Sequence, residues 1–571
     1  MSADTLVELL QARARDDRLG LLFEERTWSW RAYVAECRDR AAWLDELARR
    51  RPANRPHVAV LFDNVPELLF LLGGAALSGH VLVALNTTRS VDELARDASA
   101  THTGLVVHEP AYAGIATAIA GRLGVTAIGV DPEGRRGARM EEPAARIDDP
   151  GTRRDGPAAP PAASEALVML IFTSGTSGRP RAVKVTQRKI AVPGTSLAAM
   201  LTPEDVVYCS MPLFHSGAIM AAYAPAVASG AALVLRRRFS ASGVLPDLRR
   251  YGCTYLHYVG KALSYVLATP EGPDDAGTSL RIAFGNEGSA TATRRFGRRF
   301  GCRVIDAFGS TETAISITPD ATGPPGSLGR LPEEVEIRDP LTGGRCPPAI
   351  IEDGRLLNAG EAIGELVNTR GLGLFEGYYN DPGADGERVR EGAFWSGDMA
   401  YADPGGWVFF AGRGTERLRV DGENLAVAPI EGVIREFPGV VEAAVYPVPD
   451  AAAGDQVMAA LVLEGRFDSE AFSSFLAGRS DLGSKALPRY VRVAEELPQT
   501  PSHKVVKRVL AAEGWRAGDP VWWRPPGAPA AFREITPADL AAIEEEFTRH
   551  GRRHLLDLDA SHSGRAAPVE H

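Results

Sequence analysis

A short run of hydroxyl side chains and glycines is the part of the sequence best suited to hold an anion. The run at 173–178 comprises Thr173, Ser174, Gly175, Thr176, Ser177 and Gly178, and two arginines, Arg179 and Arg181, follow it. Backbone N–H groups, hydroxyls and guanidinium groups in one loop bind negatively charged ligands. The loop directly follows an apolar run at 166–172, so we expect it to leave the end of a buried strand and to hold a polyphosphate.

The same composition is also typical of a surface turn, because Gly, Ser and Thr cost little there. Two other phosphate-binding motifs fit poorly. A Walker A loop continues with Lys and then Ser or Thr, whereas Arg179 and Pro180 follow Gly178 here. The loop also lacks the G-x-G-x-x-G pattern of dinucleotide-binding folds. A P-loop NTPase and a Rossmann dehydrogenase are therefore disfavoured.

A second set of reactive side chains follows a predicted strand at 303–306. Phe308 offers an aromatic face that can stack on a base, and Thr311 and Glu312 add a hydroxyl and a carboxylate. A carboxylate can hold a Mg²⁺ ion that also contacts phosphates, because Mg²⁺ prefers a few oxygen ligands plus water. Taken alone, the segment could equally be an ordinary turn at a strand end.

Three further motifs lie downstream. Asp398 ends the sequence Trp-Ser-Gly-Asp, where a carboxylate can accept hydrogen bonds from ribose hydroxyls. Arg413 follows Gly412, and the acidic run 421–424 comes soon after it. Lys504 ends the motif at 497–504 and precedes a predicted helix at 505–512. In isolation, Lys504 would be read as a solvated lysine at a helix end.

Size, charge and cysteine content limit the class of protein. The 571 residues are enough for several domains, and a net charge of -10 argues against nonspecific binding to nucleic acid or to an anionic membrane. The five cysteines are scattered without a C-x-x-C pair, and the N-terminus has no basic region of a signal peptide, so we expect a reducing cytoplasm. The apolar stretch 68–85 is predicted to be a buried helix ending at Gly79 followed by a strand, not a transmembrane segment.

Alternating helix and strand patterns predict an α/β fold. Strands are expected at 57–62, 166–172, 206–210, 232–235, 255–258 and 303–306, a helix at 291–300, and a loop-like connection at 132–164. Beyond residue 330 short strands with Gly-rich turns dominate, and a new small pattern begins near 416. In the last segment the Trp522-Trp523 pair is expected to be core, and a helix should start at Thr536 and end at Gly551, before a disordered end at 560–571.

These five motifs, in this order and spacing, resemble those of the adenylate-forming (ANL, AMP-binding) superfamily, which includes acyl-CoA synthetases, peptide-synthetase adenylation domains and luciferases. They span 172–504, so the resemblance covers nearly the whole chain apart from its tail. Within the superfamily the chain is most similar to actinobacterial FadD-type fatty-acyl-CoA synthetases, and through them to the fatty-acid transport and very-long-chain acyl-CoA synthetase group. The supporting segments are 210–216, 258–267, 285–287 and 422–426.

The resemblance implies both an architecture and a reaction. The fold would be a large N-terminal adenylation domain of layered sheets and helices (1–413), a small mobile α+β lid domain (414–515) and a tail (516–571). The reaction would begin with ATP-dependent adenylation of a carboxylic acid, expected to be a fatty acid. Thioester formation with CoA would follow, and AMP and pyrophosphate would be released. ATP, Mg²⁺ and CoA would be its cofactor and co-substrates, and a homodimer is one expected assembly.

The resemblance also implies a role for each motif residue. The phosphates would be held by Thr173, Ser174, Gly175, Thr176, Ser177, Gly178 and Arg181. The nucleotide would contact Gly285, Asn286, Glu287, Asp306, Phe308, Asp398 and Arg413. Catalysis would depend on Lys504, Glu312 and Thr311, with Glu312 also the metal ligand. The acid would lie against His215, Tyr258, Gly260, Lys261 and Thr313, and the hinge between domains would be at Thr415.

Three positions depart from the family pattern. The phosphate loop commonly continues as Pro-Lys-Gly, whereas Arg181 and Ala182 follow Pro180 here; arginine keeps the charge but is not equivalent to lysine. Thr415 stands where an acidic hinge residue is common, which puts the hinge in doubt. The segment 313–315 is expected to line the acyl pocket. Its side chains would either shorten the pocket or make it more polar.

Several alternatives share the adenylation motifs. The adenylate could be passed to a carrier-protein thiol or to an amine, or nitrite could be activated by ATP to diazotise an aryl amine. A non-catalytic paralogue that only binds a partner belongs to a different class. The presence of Glu312, Asp398, Arg413 and Lys504 together argues against that last alternative.

Overall fold

The computed structural model describes most of the chain: residues 3–49, 54–130, 163–174, 180–260, 262–286, 290–320, 322–324, 327–352, 355–413, 417–420, 423–451, 455–479, 482, 486–499, 505–525, 531–550, 552–553 and 556. The chain divides into two compact units. Unit 1 is Met1–Ser316 with Leu372–Gly392, and unit 2 is Ile317–Gly371 with Ala393–His571. Each unit has its own hydrophobic core.

The first 316 residues alternate between strands and helices, as an α/β fold requires. The strands are β1 (Leu19–Phe23), β2 (Arg26–Ser29), β3 (His57–Leu61), β4 (Leu82–Ala84), β5 (Thr103–His108), β6 (Thr126–Gly129), β7 (Leu167–Ser174), β8 (Pro180–Thr186), β9 (Val206–Cys209), β10 (Ala232–Leu235), β11 (Tyr255–Val259), β12 (Ile282–Asn286) and β13 (Arg303–Asp306). The helices are α1 (Leu6–Arg13), α2 (Trp30–Ala48), α3 (Pro66–Ser78), α4 (Val91–Ala100), α5 (Ala113–Leu123), α6 (Gln187–Ala198), α7 (Ser216–Ala218), α8 (Ala224–Ser229), α9 (Ala241–Tyr251), α10 (Ala262–Leu267) and α11 (Ala290–Phe300). A π-helical turn, Ile219–Tyr223, joins α7 to α8.

Two sheets organise unit 1. One has the strand order β13-β12-β11-β9-β10-β1-β2, and the other has the order β6-β5-β3-β4-β7-β8. Each is parallel except for one antiparallel pair at one edge, β1 with β2 and β7 with β8. Parallel strands are covered by helices on both faces, which explains why β3, β5 and β11 are buried along their whole length. The predicted α/β class with layered sheets is confirmed.

The apolar stretch at 68–85 forms a buried helix followed by a strand, as predicted. Helix α3 begins with Pro66 and ends at Gly79, whose left-handed backbone (φ 73°) glycine adopts without strain. Strand β4 follows and is fully buried. Among the helices in the described part of the chain, none combines the length and apolar character needed to cross a bilayer.

From residue 317 onward the strands vary in length from two residues to ten. They are β14 (Gly329–Arg330), β15 (Val335–Arg338), β16 (Ile351–Glu352), β17 (Arg355–Leu356), β18 (Gly364–Asn368), β19 (Val389–Arg390), β20 (Ala393–Ala402), β21 (Trp407–Arg413), β22 (Arg417–Val420), β23 (Glu423–Ala426), β24 (Val440–Pro449), β25 (Asp455–Leu463), β26 (Tyr490–Val493), β27 (Val521–Trp523) and β28 (Arg533–Glu534). The helices are α12 (Ala359–Ala362), α13 (Pro382–Arg388), α14 (Val427–Ile434), α15 (Ser469–Ala477), α16 (Lys507–Glu513) and α17 (Pro537–Arg549).

Unit 2 contains two main sheets, β14-β21-β20-β18-β15 and β24-β25-β26-β27-β28. Strand β27 comes from the segment 516–571, so part of this tail completes a sheet. Trp523 is buried there and its ring stacks on Tyr490 at 6.1 Å, which confirms it as a core residue. Thr536 caps α17 in a capping box, as predicted, whereas Gly551 and 560–571 lie outside the described residues. The domain boundaries at 413 and 515 stay predictions.

Candidate active site

The carboxyl ends of β11, β12 and β13 bring together three of the residues predicted to contact the nucleotide or substrate. Tyr258 pairs with Gly285, and Gly285 pairs with Asp306, across adjacent parallel strands. The Tyr258 hydroxyl donates to an Asp306 carboxylate oxygen at 2.7 Å. A Cβ at Gly285 would lie 2.1 Å from the Tyr258 carbonyl oxygen, so only glycine fits there. Burial and the Asp306 charge raise the pKa of Tyr258, which therefore remains a donor at neutral pH.

One polar atom at this edge is left without a partner. The Oδ1 atom of Asn286, at the end of β12, is buried and accepts no hydrogen bond from the described residues. A buried acceptor of this kind requires a donor, and the exocyclic amino group of adenine is one. Phe308, whose ring is predicted to stack on the base, lies half-buried two residues beyond Asp306. Glu287 and Lys261, also predicted for this region, lie outside the described residues.

The turn that carries Glu312 is fixed by contacts from distant parts of unit 1. The hydroxyls of Ser216 and Thr311 are 2.9 Å apart, and Tyr378 donates its hydroxyl to Glu312 Oε1 at 2.8 Å. Thr313 has a positive φ of 55°, which is an outlier for a β-branched residue and costs on the order of 1–3 kcal/mol. Strain of this kind persists only where the surrounding structure determines the conformation.

Tyr378 is positioned by a short segment that runs along β8. Tyr379 N donates to the Ala182 carbonyl oxygen at 2.7 Å, and Lys184 N donates to the Gly377 carbonyl oxygen at 3.2 Å. Burial and the negative charge of Glu312 raise the pKa of Tyr378. The Tyr378 hydroxyl therefore stays protonated and donates a hydrogen bond to the Glu312 carboxylate.

The chemistry of the Glu312 side chain suits a Mg²⁺ ion that is shared with phosphates. Mg²⁺ is usually held by one or two carboxylates plus substrate phosphates and water, and does not need a cage of protein ligands. Consistent with this, the described residues contain no group of three or more His, Cys, Asp and Glu side chains that could enclose a metal. One Glu312 oxygen is held by Tyr378, which orients the carboxylate.

Lys189 was not recognised from the sequence, yet it is among the most buried charges of unit 1. It is 0% exposed, and its Nζ atom donates to the backbone carbonyl of Glu312 at 2.9 Å. Burial lowers the pKa of Lys189 to about 8, while the carboxylates of Glu312 and Glu376 act in the opposite direction. Its Nζ also lies 5.9 Å from the ring centre of Phe375. Because 123 positions separate the two partners, no local pattern could have indicated this contact.

His257 is a second buried residue that sequence reasoning missed. Its Nδ1 atom lies 3.1 Å from the Phe284 carbonyl oxygen, and because a carbonyl only accepts, Nδ1 carries the proton. Its Nε2 atom has no hydrogen-bond partner among the described residues. Burial lowers the pKa of His257 to about 4. Gly217 packs against this nitrogen so closely that a Cβ would lie 2.8 Å from Nε2.

The predicted histidine of the acyl site lies beside this region. His215 precedes α7, and its Nδ1 atom accepts from Gly217 N at 3.4 Å. Thr313, a second predicted pocket residue, directs its hydroxyl at the Thr311 carbonyl oxygen at 3.2 Å. Gly260 lies just beyond β11, with a positive φ of 58°. These contacts show where the three residues lie, and their roles in substrate binding stay predictions.

A small apolar cavity lies next to Tyr258, among β11, α9, α10 and α11. Its volume is about 10 Å³, room for about one water molecule. Its lining is apolar apart from a few polar side chains, and includes Met211, Phe239, Leu263, Val266, Phe296, His257 and Tyr258. A cavity of this volume is too small for an acyl chain, whereas its apolar lining is characteristic of ligand pockets.

The structure describes only the two ends of the predicted phosphate loop, which spans residues 173–178. Strands β7 and β8 pair Thr173 with Arg181 and Ser174 with Pro180, which confirms that the loop leaves a buried strand. Residues 175–179 lie outside the described part of the chain. Arg181 is buried, forms an ion pair with Glu387 and lies 5.4 Å from the Tyr378 ring centre. Its predicted phosphate contact stays a prediction, and the structure adds a link to the segment that carries Tyr378.

Two predicted ribose-binding residues are neighbours in unit 2. Asp398 on β20 is the register partner of Arg413 on β21, and Asp398 is buried. The neighbouring Gly397 N donates to Glu365 Oε1 at 2.6 Å, a contact that the sequence did not indicate. Arg413 is described in its backbone alone, and Lys504 and Thr415 lie outside the described residues.

Comparison with known proteins defines the class. The AMP-binding enzyme family matches residues 10–379, and the C-terminal domain of AMP-binding enzymes matches residues 429–504. The chain therefore belongs to the AMP-binding enzyme family, the adenylate-forming group that its motifs resemble. Its α/β architecture is shared with the crystal structure of ATP-bound MatB from Rhodopseudomonas palustris, with a TM-score of 0.76 at 24% identity, over 90% of this chain and 98% of that one.

Two relatives are similar over almost their full length. The chain is 46% identical over 527 residues to the medium/long-chain-fatty-acid–CoA ligase FadD17 of Mycobacterium marinum, which covers 91% of this chain and 99% of that protein. It is 41% identical over 562 residues to the steroid-22-oyl-CoA synthetase of Rhodococcus jostii, which covers 97% of this chain and 99% of that protein.

Proposed function

We propose that the protein is an AMP-forming acid–thiol ligase that joins a fatty carboxylic acid to CoA through an acyl adenylate. The observation that carries this proposal is the arrangement of Glu312, held by Tyr378, on a turn that follows β13 beside the Tyr258–Asp306 pair. The similarity to two CoA ligases over more than nine tenths of the chain supports the thioester product. The protein would act in the cytoplasm, as a monomer or a homodimer.

In the first half-reaction a carboxylate oxygen attacks the α-phosphorus of ATP and pyrophosphate leaves. The protein contributes mainly positioning and charge stabilisation to such a transfer. Phe308 and the Oδ1 acceptor of Asn286 would hold adenine. Asp398 and Arg413 would hold the ribose, and the loop 173–178 would hold the phosphates. Mg²⁺ bound at Glu312 would neutralise phosphate charge.

Lys504 would add positive charge where the carboxylate and the α-phosphate meet. Removing one such group usually costs about 10²–10³ in rate. Thr311 would contact the α-phosphate, and its hydroxyl is already held by Ser216 at 2.9 Å. The second half-reaction, attack of the CoA thiol on the adenylate, would follow reorientation of the lid domain about Thr415.

The acid is proposed to be apolar because the cavity beside Tyr258 has an apolar lining. A fatty acid fits this description and matches the first relative. A steroid side-chain acid is a second candidate, favoured by the similarity over 97% of the chain to a steroid-22-oyl-CoA synthetase. Either acid would need the cavity to enlarge, a ring system more than an acyl chain.

The test is pyrophosphate release with a panel of medium- and long-chain fatty acids, a steroid C22 acid, short acids and nitrite, each with and without CoA. We expect release with an apolar acid and a CoA thioester as the product. Release that never depends on CoA would point instead to another acceptor, and release with nitrite alone to diazotisation.

A pair of lysine variants tests the catalytic role. Lys504→Ala should abolish ATP–pyrophosphate exchange while the protein stays folded. Lys507→Ala is the matched control, because Lys507 lies in the same basic segment but pairs with Glu431 at 2.7 Å. Near-normal exchange in Lys504→Ala would refute the assignment.

A further inference from the structure

Lys189 holds the backbone of the residue that the proposed function assigns to the metal. We propose that Lys189 is a positioning residue: its buried ammonium fixes the peptide between Glu312 and Thr313, so that the Glu312 carboxylate is oriented towards the divalent ion and the nucleotide phosphates. This inference rests on the proposed function, because it concerns the same metal-dependent step.

The location of Lys189 is costly by two independent measures. Its side chain is 0% exposed, and a buried ammonium loses the hydration that a surface lysine keeps. It also lies in the first turn of α6, three residues after the N-cap Thr186, where the helix dipole disfavours a positive charge. Local rules are broken in natural proteins mainly at functional or strained sites.

The contacts of Lys189 form a closed ring around the Glu312 turn. Its Nζ atom donates to the Glu312 carbonyl oxygen at 2.9 Å, and the Glu312 carboxylate accepts from Tyr378 at 2.8 Å. The rings of Tyr378 and Phe375 are in edge contact at 5.2 Å, and Phe375 faces Lys189 with its ring centre 5.9 Å from Nζ. The backbone and the side chain of Glu312 are therefore both held by one cluster of residues.

A second carboxylate completes the surroundings of the ammonium. Thr186 accepts from Lys189 N at 3.4 Å and donates its hydroxyl to Glu376 Oε1 at 3.1 Å. Burial raises the pKa of Glu376, and the positive charges of Arg188 and Lys189 oppose this effect. The charges of both Glu312 and Glu376 therefore favour the ammonium form of Lys189, against the effect of its burial.

The backbone strain lies next to the atom that Lys189 holds. The Glu312 carbonyl belongs to the peptide that leads into Thr313, whose φ of 55° is unfavourable for a β-branched residue. Leu374 N donates to the Thr313 carbonyl oxygen at 3.1 Å, which fixes the following peptide as well. With both peptides held, the strained turn has one orientation, and so does the carboxylate it carries.

Loss of this support should weaken metal binding more than it weakens ATP binding. Partners that orient a metal ligand typically contribute tenfold to a hundredfold to metal affinity or activity. Lys189→Met keeps the chain length but removes the charge and the donor. We expect the Mg²⁺ concentration for half-maximal ATP–pyrophosphate exchange to rise by roughly tenfold to a hundredfold.

The direct measurement is ATP binding by titration calorimetry, with and without Mg²⁺ and without any acid, so that no turnover occurs. In the wild type Mg²⁺ should increase the affinity for ATP. In Lys189→Met this increase should fall by roughly tenfold or more, while the metal-free affinity stays unchanged. Tyr378→Phe, which removes the hydrogen bond to the Glu312 carboxylate, should show the same pattern.

Two further variants separate positioning from folding. Arg188→Met removes a neighbouring positive charge from the same helical turn without touching Glu312, and should keep the full effect of Mg²⁺. Lys189→Gln is a milder change that serves if Lys189→Met does not fold, and its metal requirement should also rise. A purely structural role would lower the thermal midpoint and leave the effect of Mg²⁺ on ATP affinity as in the wild type.

The outcomes distinguish this inference from the proposed function. If a folded Lys189 variant keeps the wild-type increase in ATP affinity with Mg²⁺, the positioning role is wrong, whereas the proposed function stands. If the wild type itself shows neither Mg²⁺-dependent ATP binding nor pyrophosphate exchange with any acid, the proposed function fails first.

Discussion

Acid should destabilise unit 1 through one buried histidine, His257. Its pKa is lowered by burial from 6.5 to about 4, so the folded protein keeps the side chain neutral where an unfolded chain would protonate it. The group makes no difference to stability above pH 6.5, and stability is lost as the pH falls from there, until the folded state also takes up the proton near pH 4. At about 1.4 kcal/mol per pH unit, the total loss over these 2.5 units is roughly 3–4 kcal/mol, most of it above pH 4.5.

The structure explains why protonation of His257 is unfavourable. Its Nδ1 proton is already donated to the Phe284 carbonyl oxygen at 3.1 Å, and Nε2 faces Gly217 with no partner among the described residues. A second proton would place an unpaired N–H and a positive charge in a buried site. The charge of the nearby His215 adds to the cost when that residue is protonated.

The assay compares the thermal midpoint of wild type and His257→Gln by calorimetry between pH 7 and pH 4.5. Other groups titrate equally in both proteins, so the difference between the two curves isolates His257. For a unit of this size, 3 kcal/mol corresponds to roughly 4 °C, with the wild type losing more stability in acid. His550→Gln, at the exposed end of α17, is the control. Parallel pH curves for wild type and His257→Gln would refute the argument.

Three further outcomes are expected. Tyr258→Phe removes the hydrogen bond that Tyr258 donates to the Asp306 carboxylate and should cost about 1.5–3 kcal/mol, seen as a lower thermal midpoint and a higher KM for ATP. Asp398→Asn keeps the shape but not the charge, and should raise KM for ATP about tenfold or more in steady-state kinetics. Thr536→Ala removes a helix cap and should destabilise the C-terminal sheet and its helix by about 1 kcal/mol, measured by chemical denaturation, with ATP binding unchanged.

Local patterns predicted most elements because they depend on neighbouring residues. The runs at 232–235 and 303–306 correspond to β10 and β13 without change, and Gly79 ends α3 as its lack of a side chain suggests. The predicted and observed ends of a strand differ where hydrogen bonding continues past the apolar residues. Strand β7 continues to Ser174, two residues beyond the apolar run. The π-helical turn after α7 has no sequence signature of this kind and was not predicted.

Contacts between distant residues could not be predicted in the same way. Motif order indicated Glu312, but its supporting residues Lys189 and Tyr378 lie 123 and 66 positions away. Arg181 shows the limit most clearly. The sequence marks it as a cation beside a phosphate loop, whereas its burial against Glu387 follows from where the chain returns after residue 371.

The interruption of unit 1 by residues 317–371 affects the order in which its parts are synthesised. Unit 1 comprises the first 316 residues and a second piece, Leu372–Gly392, which supplies Tyr378. The ribosome therefore releases a stretch that belongs to unit 2 before it releases the last piece of unit 1. At about 5–20 residues per second, the 66 positions between Glu312 and Tyr378 take roughly 3–13 s to synthesise, during which the Glu312 turn lacks its Tyr378 contact. A nascent chain arrested before residue 372 should accordingly expose the edge of β8 to chaperones, and one arrested after residue 392 has left the exit tunnel should not.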